Sequence, residues 1–75
     1  MTSATVYEKG NGMPDVGDYV SGNDGEVYRV VEFTGPIQTG RSRGAGDWVR
    51  ATVELADWSD VTDDTEPRWT CVVQD

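Results

Sequence analysis

The sequence contains no histidine and a single cysteine, and both shortages narrow the functions open to it. Histidine is the commonest general base, the usual zinc ligand and the base of most nucleophilic triads. Cys71 therefore has no imidazole to activate it, and it has no second cysteine for a disulfide. The glycine-rich residues 40–46 lack the Gly-Lys-Ser/Thr ending of a phosphate loop. We expect no enzymatic activity, no cofactor and no metal ion.

Long apolar runs are also missing. No run reaches the length of a membrane span or of a signal-peptide core, and residues 1–10 lack the charged-then-apolar order of a targeting segment. A secreted domain of this size usually carries several disulfides, which this chain cannot form. The sequence therefore predicts a cytoplasmic protein.

Basic residues are scarce: six lysines and arginines face fourteen aspartates and glutamates, which gives a net charge of −8. At physiological salt the screening length is about 8 Å, so this excess repels other anions at close range. Binding to a nucleic-acid backbone or an anionic membrane is therefore disfavoured, and a protein partner with a basic surface is favoured. The simpler alternative is that the charge only keeps a small protein soluble.

The length of 75 residues predicts a single domain, 1–75, with one thin core. Residues 1–12 contain a short strand-like run and a turn signal, so we expect an N-terminal arm or an edge strand there. Residues 13–75 are expected to form a barrel. Within them, Asn23-Asp24-Gly25 separates two β-rich runs and predicts a hairpin.

Two later runs alternate between apolar and polar residues, at 48–55 and 68–74. In the first, the alternation places Val49, Ala51, Val53 and Leu55 in the core. The run at 26–33 does not alternate cleanly, which indicates a bent strand or a bulge near Val30 and Val31. The predicted fold is all-β, with four to five antiparallel strands in a meander that closes into a small, partly open barrel.

The stretch VGDYV at 16–20, followed by DGEVYRVV at 24–31, resembles the opening of SH3-like barrels of the Tudor and KOW type. The resemblance covers about a quarter of the chain and implies an SH3-like fold, without an activity. Tudor-type domains carry an aromatic cage for methylated side chains, and KOW-type domains use basic loops on RNA. Neither feature has a residue-by-residue counterpart in this sequence.

The densest charge lies between residues 57 and 66, where five acids and a tryptophan occur without a base. These residues are Asp57, Trp58, Asp60, Asp63, Asp64 and Glu66. Their spacing does not match an EF-hand loop, which argues against a dedicated calcium site. A helical turn or tight loop would place Asp57, Asp60 and Asp63 on one side, as a row of carboxylates resembling a phosphate backbone.

Such a row predicts a docking surface for an arginine- or lysine-lined groove, with Trp58 as its apolar anchor. Small size, strong acidity and the absence of disulfides resemble phage-encoded inhibitors of host defence nucleases. The structural alternative is that Asp57 or Ser59 caps a short turn, Trp58 covers the end of the barrel and the other acids are solvated.

A rival hypothesis uses the one basic stretch of the chain, whose candidate residues are Arg41, Arg43, Trp48 and Arg50. Arginines beside a glycine-rich loop and a tryptophan could contact nucleic acid or a small ligand, or could instead pair with the protein's own acids. A third hypothesis is a structural subunit of a larger assembly, with self-association through an edge strand.

Overall fold

The strands form where valines, threonines and aromatic residues are concentrated, as β propensity predicts. A computed structural model describes residues 1–8, 12–38 and 46–74. Its five strands are β1 (Thr2–Tyr7), β2 (Tyr19–Gly22), β3 (Val27–Phe33), β4 (Trp48–Leu55) and β5 (Thr70–Gln74). A single 3₁₀ turn, Trp58–Asp60, lies between β4 and β5. The prediction of an all-β fold is confirmed.

The strands close into a barrel in the order β1-β4-β3-β2-β5. Strands β2, β3 and β4 form the predicted antiparallel meander, and β1 pairs antiparallel with both β4 and β5. The barrel is sealed by a short parallel pairing of β2 with β5, in which Ser21 faces Thr70 and Gly22 faces Cys71. The architecture is a small closed all-β barrel, consistent with an SH3-like barrel.

This topology corrects three details of the prediction. The barrel is closed rather than partly open, and its pairing is mixed rather than wholly antiparallel. Strand β1 is hydrogen-bonded on both sides, so residues 2–7 form neither an arm nor an edge strand. Each described strand has two neighbours, and the edge-strand route to self-association therefore has no free edge to use.

The core is built from small side chains, which suit the narrow interior of a five-stranded barrel. Its largest fully buried side chains are valines from β1, β2, β3 and β4, together with Cys71 of β5. The predicted core positions of β4 are confirmed at Val49, Ala51 and Val53, but the prediction is wrong for Leu55, which is 65% exposed. Leu55 ends β4, beyond the reach of the core.

The irregular pattern of β3 has its cause in a bulge. Val30 faces Val53 on β4 and Glu32 faces Thr52, so Val31 is an extra residue between two pairs. The predicted bulge near Val30 and Val31 is confirmed. Because the bulge reverses which side of the sheet the next residues face, Phe33 is paired with the inward-facing Ala51. Phe33 thereby comes to lie at an end of the barrel.

The predicted hairpin joins β2 to β3. Gly22 N–H donates to the Glu26 carbonyl at 2.8 Å, and Gly25 adopts a φ of 86°, which favours glycine. The Asn23 side chain accepts a hydrogen bond from Val73 N–H of β5 at 3.1 Å. The turn is thus held both by its own strands and by β5, the other neighbour of β2 in the barrel. Within the described residues, no helix is long and apolar enough to cross a bilayer.

Candidate functional site

The acidic segment, defined as residues 57–66, begins with a capped 3₁₀ turn. The Asp57 carboxylate accepts a hydrogen bond from Ser59 N–H at 3.0 Å, and Asp60 N–H donates to the Asp57 carbonyl at 2.9 Å. The bonds from the Ser59 backbone and hydroxyl lower the pKa of Asp57 below its usual range. Asp57 therefore has the capping role that the structural alternative predicted, and it stays ionised.

Trp58 lies over the hairpin between β2 and β3. Its indole Nε1–H donates to the carbonyl of Gly25 at 3.2 Å, and 48% of the residue is exposed. The ring therefore lies beside the β2–β3 turn and offers nearly half of its surface to solvent. Leu55, three residues earlier, is also exposed and faces Tyr28 across the sheet. An apolar patch of Leu55 and Trp58 thus accompanies the first half of the acidic segment.

The hairpin adds two acids to this end of the barrel: Asp24, which the sequence predicts only as a turn residue, and Glu26, which it predicts only as the start of a strand. The Asp24 carboxylate accepts the Tyr28 hydroxyl at 2.6 Å and the Glu26 N–H at 3.0 Å. These bonds, chiefly the one from Tyr28, lower the pKa of Asp24. The hydrogen bond from Trp58 to Gly25 shows that the hairpin lies beside the acidic segment. No pattern in the sequence indicates this contact.

The second half of the acidic segment forms a separate turn. Thr65 N–H donates to the Thr62 carbonyl at 3.1 Å, and the Thr65 hydroxyl accepts from Thr62 N–H at 2.8 Å. Asp63 and Asp64 occupy the two central positions of this turn and are exposed. Val61, with φ −86° and ψ 127°, separates it from the 3₁₀ turn. The carboxylates are therefore carried by two turns and not by one continuous helical face.

Asp64 and Glu66 border a polar groove of about 250 Å³. The rest of its lining is Gly17, Asp18, Tyr19, Thr65, Arg68 and Trp69. The Trp69 indole is fixed there by a 2.7 Å hydrogen bond from Nε1–H to the Gly12 carbonyl. The structure thus divides the predicted site: Asp57 and Trp58 lie at the hairpin, and Asp64 and Glu66 lie at the polar groove.

The alternative basic site is described only in part. Arg41 and Arg43 lie outside the described residues. Trp48 is half-buried and forms an isolated backbone bridge with Gln38, while the Arg50 guanidinium donates to the Gln74 side chain at 3.1 Å. Arg50 is therefore held along the barrel wall by a neutral amide.

One arginine outside that stretch does pair with an acid of the same protein. Arg29 on β3 forms an exposed ion pair with Glu54, which is its direct neighbour on β4. An exposed pair of this kind stabilises a fold by about 0–1 kcal/mol at most.

A second cavity was missed by the sequence analysis. It has a volume of about 390 Å³ and is lined by Met13, Pro14, Asp15, Phe33, Gly35, Pro36, Ile37 and Val49. The sequence signals are the apolar residues inside Gly-Met-Pro-Asp and Gly-Pro-Ile, whose glycines and prolines by themselves indicate only loops. Across the described residues, no group of three potential metal ligands comes close enough to hold an ion.

In the described part of the chain, the fold and the site define a small closed β-barrel with an acidic surface, the exposed Leu55 and Trp58 at one end, and an apolar cavity and a polar groove elsewhere. Comparison with family models, with curated proteins and with solved structures finds no match.

Proposed function

We propose that the protein is a non-enzymatic binding module that docks through its acidic segment on a basic, nucleic-acid-binding surface of a partner protein, as an inhibitor. The single observation that carries the proposal is the placement of Trp58, half exposed and fixed to Gly25, inside the most acidic part of the chain. A rigid aromatic side chain loses little entropy on binding, which is why tryptophan dominates interface hot spots.

The surrounding charge supports the same proposal. Thirteen of the fourteen acids and three of the six bases fall in the described residues, so the described surface is strongly anionic. Asp60, Asp63 and Asp64 are all exposed on short turns. Charges of this kind steer the encounter with a basic partner, while the apolar anchor determines how long the complex lasts.

The chemistry of the partner follows from the carboxylates. Arginine and lysine side chains that bind phosphates also accept carboxylates through charge-assisted hydrogen bonds. A groove built for a nucleic-acid backbone therefore supplies the basic surface that the acidic segment needs. We also propose a cytoplasmic location, because the one cysteine is unpaired and buried.

The test is a capture experiment with the purified protein and a lysate of cells of the organism that encodes it. The lysate is treated with nuclease, and bound proteins are eluted with a salt gradient. We expect a basic nucleic-acid-binding protein that stays bound after nuclease treatment and elutes at high salt. Purified partner then gives association rates for wild type and for the variant D60N/D63N, which should associate several-fold more slowly.

The matched control is E8Q/E32Q, which removes the same charge from carboxylates outside the acidic segment. Equal association rates for the two double variants would mean that only net charge matters, and the proposed surface would be wrong. Retention that disappears with nuclease, or direct binding of the purified protein to oligonucleotides, would instead favour the basic stretch at Arg41–Arg50.

A further inference from the structure

The two cavities lie on either side of one turn. Residues 15–18 form this turn: Asp15 lines the apolar cavity, and Gly17 and Asp18 line the polar groove. Val16, between them, is 60% exposed. A ridge one turn wide therefore separates a mostly apolar pocket from a mostly polar one.

The ridge is held in a defined geometry. Asp18 N–H donates to the Asp15 carbonyl at 3.0 Å, and the Asp18 carboxylate accepts from Asp15 N–H at 2.8 Å. Gly17 has a φ of 97° at the third position of the turn, as a type II turn requires. Gly17 N–H and the Asp18 carbonyl also bond to Val30 of β3, at 2.8 and 3.0 Å. The first and last Cα atoms of such a turn lie less than about 7 Å apart, so the two cavities are close neighbours.

The apolar cavity suits an apolar side chain better than a charged one. Its volume of about 390 Å³ lies in the range of ligand pockets, and among the described residues that line it only Asp15 is charged. Ile37 and Phe33 on its wall are 57% and 37% exposed, which leaves apolar surface in water. An aliphatic or aromatic side chain placed there would remove that apolar surface from water, which favours binding.

The polar groove suits a cation. Three carboxylates, from Asp18, Asp64 and Glu66, outnumber the single guanidinium of Arg68 in its lining, and the rings of Tyr19 and Trp69 complete the walls. Carboxylates bind guanidinium and ammonium groups through charge-assisted hydrogen bonds, and aromatic faces attract cations. An anion would meet three like charges there.

We infer that the two cavities form one bipartite docking site for a segment of a basic partner protein. An apolar side chain of the segment enters the pocket beside Ile37, and a lysine or arginine enters the groove beside Asp64. Charge complementarity selects this occupant, because every charged residue in the described lining except Arg68 is acidic. At about 3.3 Å per residue of extended chain, the apolar and basic residues stand about two to four positions apart. The inference rests on the proposed function and specifies which segment of the partner protein the barrel binds.

The test uses synthetic peptides and nuclear magnetic resonance. Each peptide carries one leucine and one arginine, two to four positions apart, in a glycine-serine background with blocked ends. We expect concentration-dependent shifts of the Ile37 and Val49 methyl signals and of the Trp69 indole signal. Replacing leucine by serine or arginine by glutamine in the peptide should raise the Kd about tenfold, since each removes one of the two contacts.

Two matched variants locate the binding. Ile37→Ser should abolish the shifts, whereas Leu55→Ser should preserve them, because Leu55 is as exposed but lies about 13 Å along β4 from the residue that faces Phe33. Absence of shifts at millimolar peptide, equal losses in both variants, or affinity indifferent to the arginine would each overturn the inference.

Different experimental outcomes would contradict the bipartite site and the proposed function. If the captured partner binds wild type and I37S equally but D60N/D63N poorly, the proposed function holds and the bipartite site is wrong. If the peptides bind at the two cavities but no basic partner is captured from the lysate, the cavities hold such a segment and the proposed function is wrong.

Discussion

At the scale of single residues, the hydrogen bond between Tyr28 and Asp24 shows that one carboxylate can belong to the acidic surface and also stabilise the fold. Asp24 is acidic surface, but its carboxylate is occupied by the Tyr28 hydroxyl and the Glu26 backbone. Both of its oxygens already accept a hydrogen bond, so fewer of its lone pairs remain for a partner. Counting acids in a sequence therefore overstates the carboxylates that are free to bind.

The same bond makes stability depend on alkaline pH. The hydrogen bond to Asp24, and then burial, raise the pKa of Tyr28 to about 12, against about 10 in an unfolded chain. The Tyr28 hydroxyl therefore holds its proton more tightly in the folded state. Its hydrogen bond to Asp24 contributes fully to the free energy of unfolding below pH 10, and this contribution is lost as pH rises towards 12. We expect the difference in urea midpoint between wild type and Tyr28→Phe to shrink over that interval. A constant difference would contradict the assignment.

Cys71 provides a second residue-scale prediction. Burial, followed by the charge of Asp24, raises the pKa of the Cys71 thiol to about 11, and the residue is 1% exposed. Because the thiolate is the reactive form, a disulfide reagent at pH 8 should label the native protein only through unfolding. The labelling rate should rise steeply with urea. Rapid labelling of the native protein, without urea, would show that β5 opens locally.

At the scale of elements, the end of β1 is fastened to the start of β4 by a close backbone contact. Glu8 N–H donates to the Asp47 carbonyl at 2.8 Å, and a Cβ atom at Gly46 would lie 2.2 Å from the Glu8 carbonyl oxygen. Gly46→Ala must therefore push the two segments apart. We expect a loss of about 1–3 kcal/mol in the free energy of unfolding, measured by chemical denaturation.

Gly35→Ala is the matched control for that substitution. A Cβ atom at Gly35 meets nothing within 4 Å, and Gly35 is not among the glycines with positive φ. Its unfolding free energy should stay within about 0.5 kcal/mol of wild type. If both variants lost the same stability, steric contact with Glu8 could not be the reason.

The elements also show what the sequence can and cannot predict. The β2–β3 hairpin and the bulge at Val31 follow from local signals, a turn tripeptide and a broken alternation, and both predictions are confirmed. The positions of β1 and β5 depend on pairing between distant segments, for which alternation carries no information. Leu55 keeps the core alternation but lies past the end of the core, so periodicity alone misplaces it.

The candidate site follows the same rule. The capping by Asp57 was predictable because its hydrogen bond joins residues only two positions apart in the sequence. The contact of Trp58 with Gly25, and the meeting of Asp64 with Asp18 at one groove, join residues more than thirty positions apart and required the fold. The apolar cavity is assembled from two loops and two strands, each of which gives only a turn or strand signal by itself.

At the scale of the whole molecule, like charges dominate. With a net charge of −8 on 75 residues, compaction brings carboxylates together, and self-repulsion opposes folding. Salt screens this repulsion more than it weakens the exposed Arg29–Glu54 pair. We therefore expect the thermal midpoint to rise between about 10 mM and 300 mM sodium chloride, where the screening length shortens several-fold. A falling midpoint would mean that attractive pairs outweigh repulsion.

The position of β1 has a consequence for how the protein is made. Its partners are β4 and β5, and Ser3 lies opposite Gln74, so the barrel strand that is synthesised first pairs with the one synthesised last. At about 5–20 residues per second, several seconds pass between the synthesis of β1 and that of β5. The buried residues Val6 and Ala4 of β1 can pair with β4 before then, but the barrel cannot close until β5 is made. The nascent barrel is therefore at its most vulnerable to proteases and to other chains just before its final strand is complete.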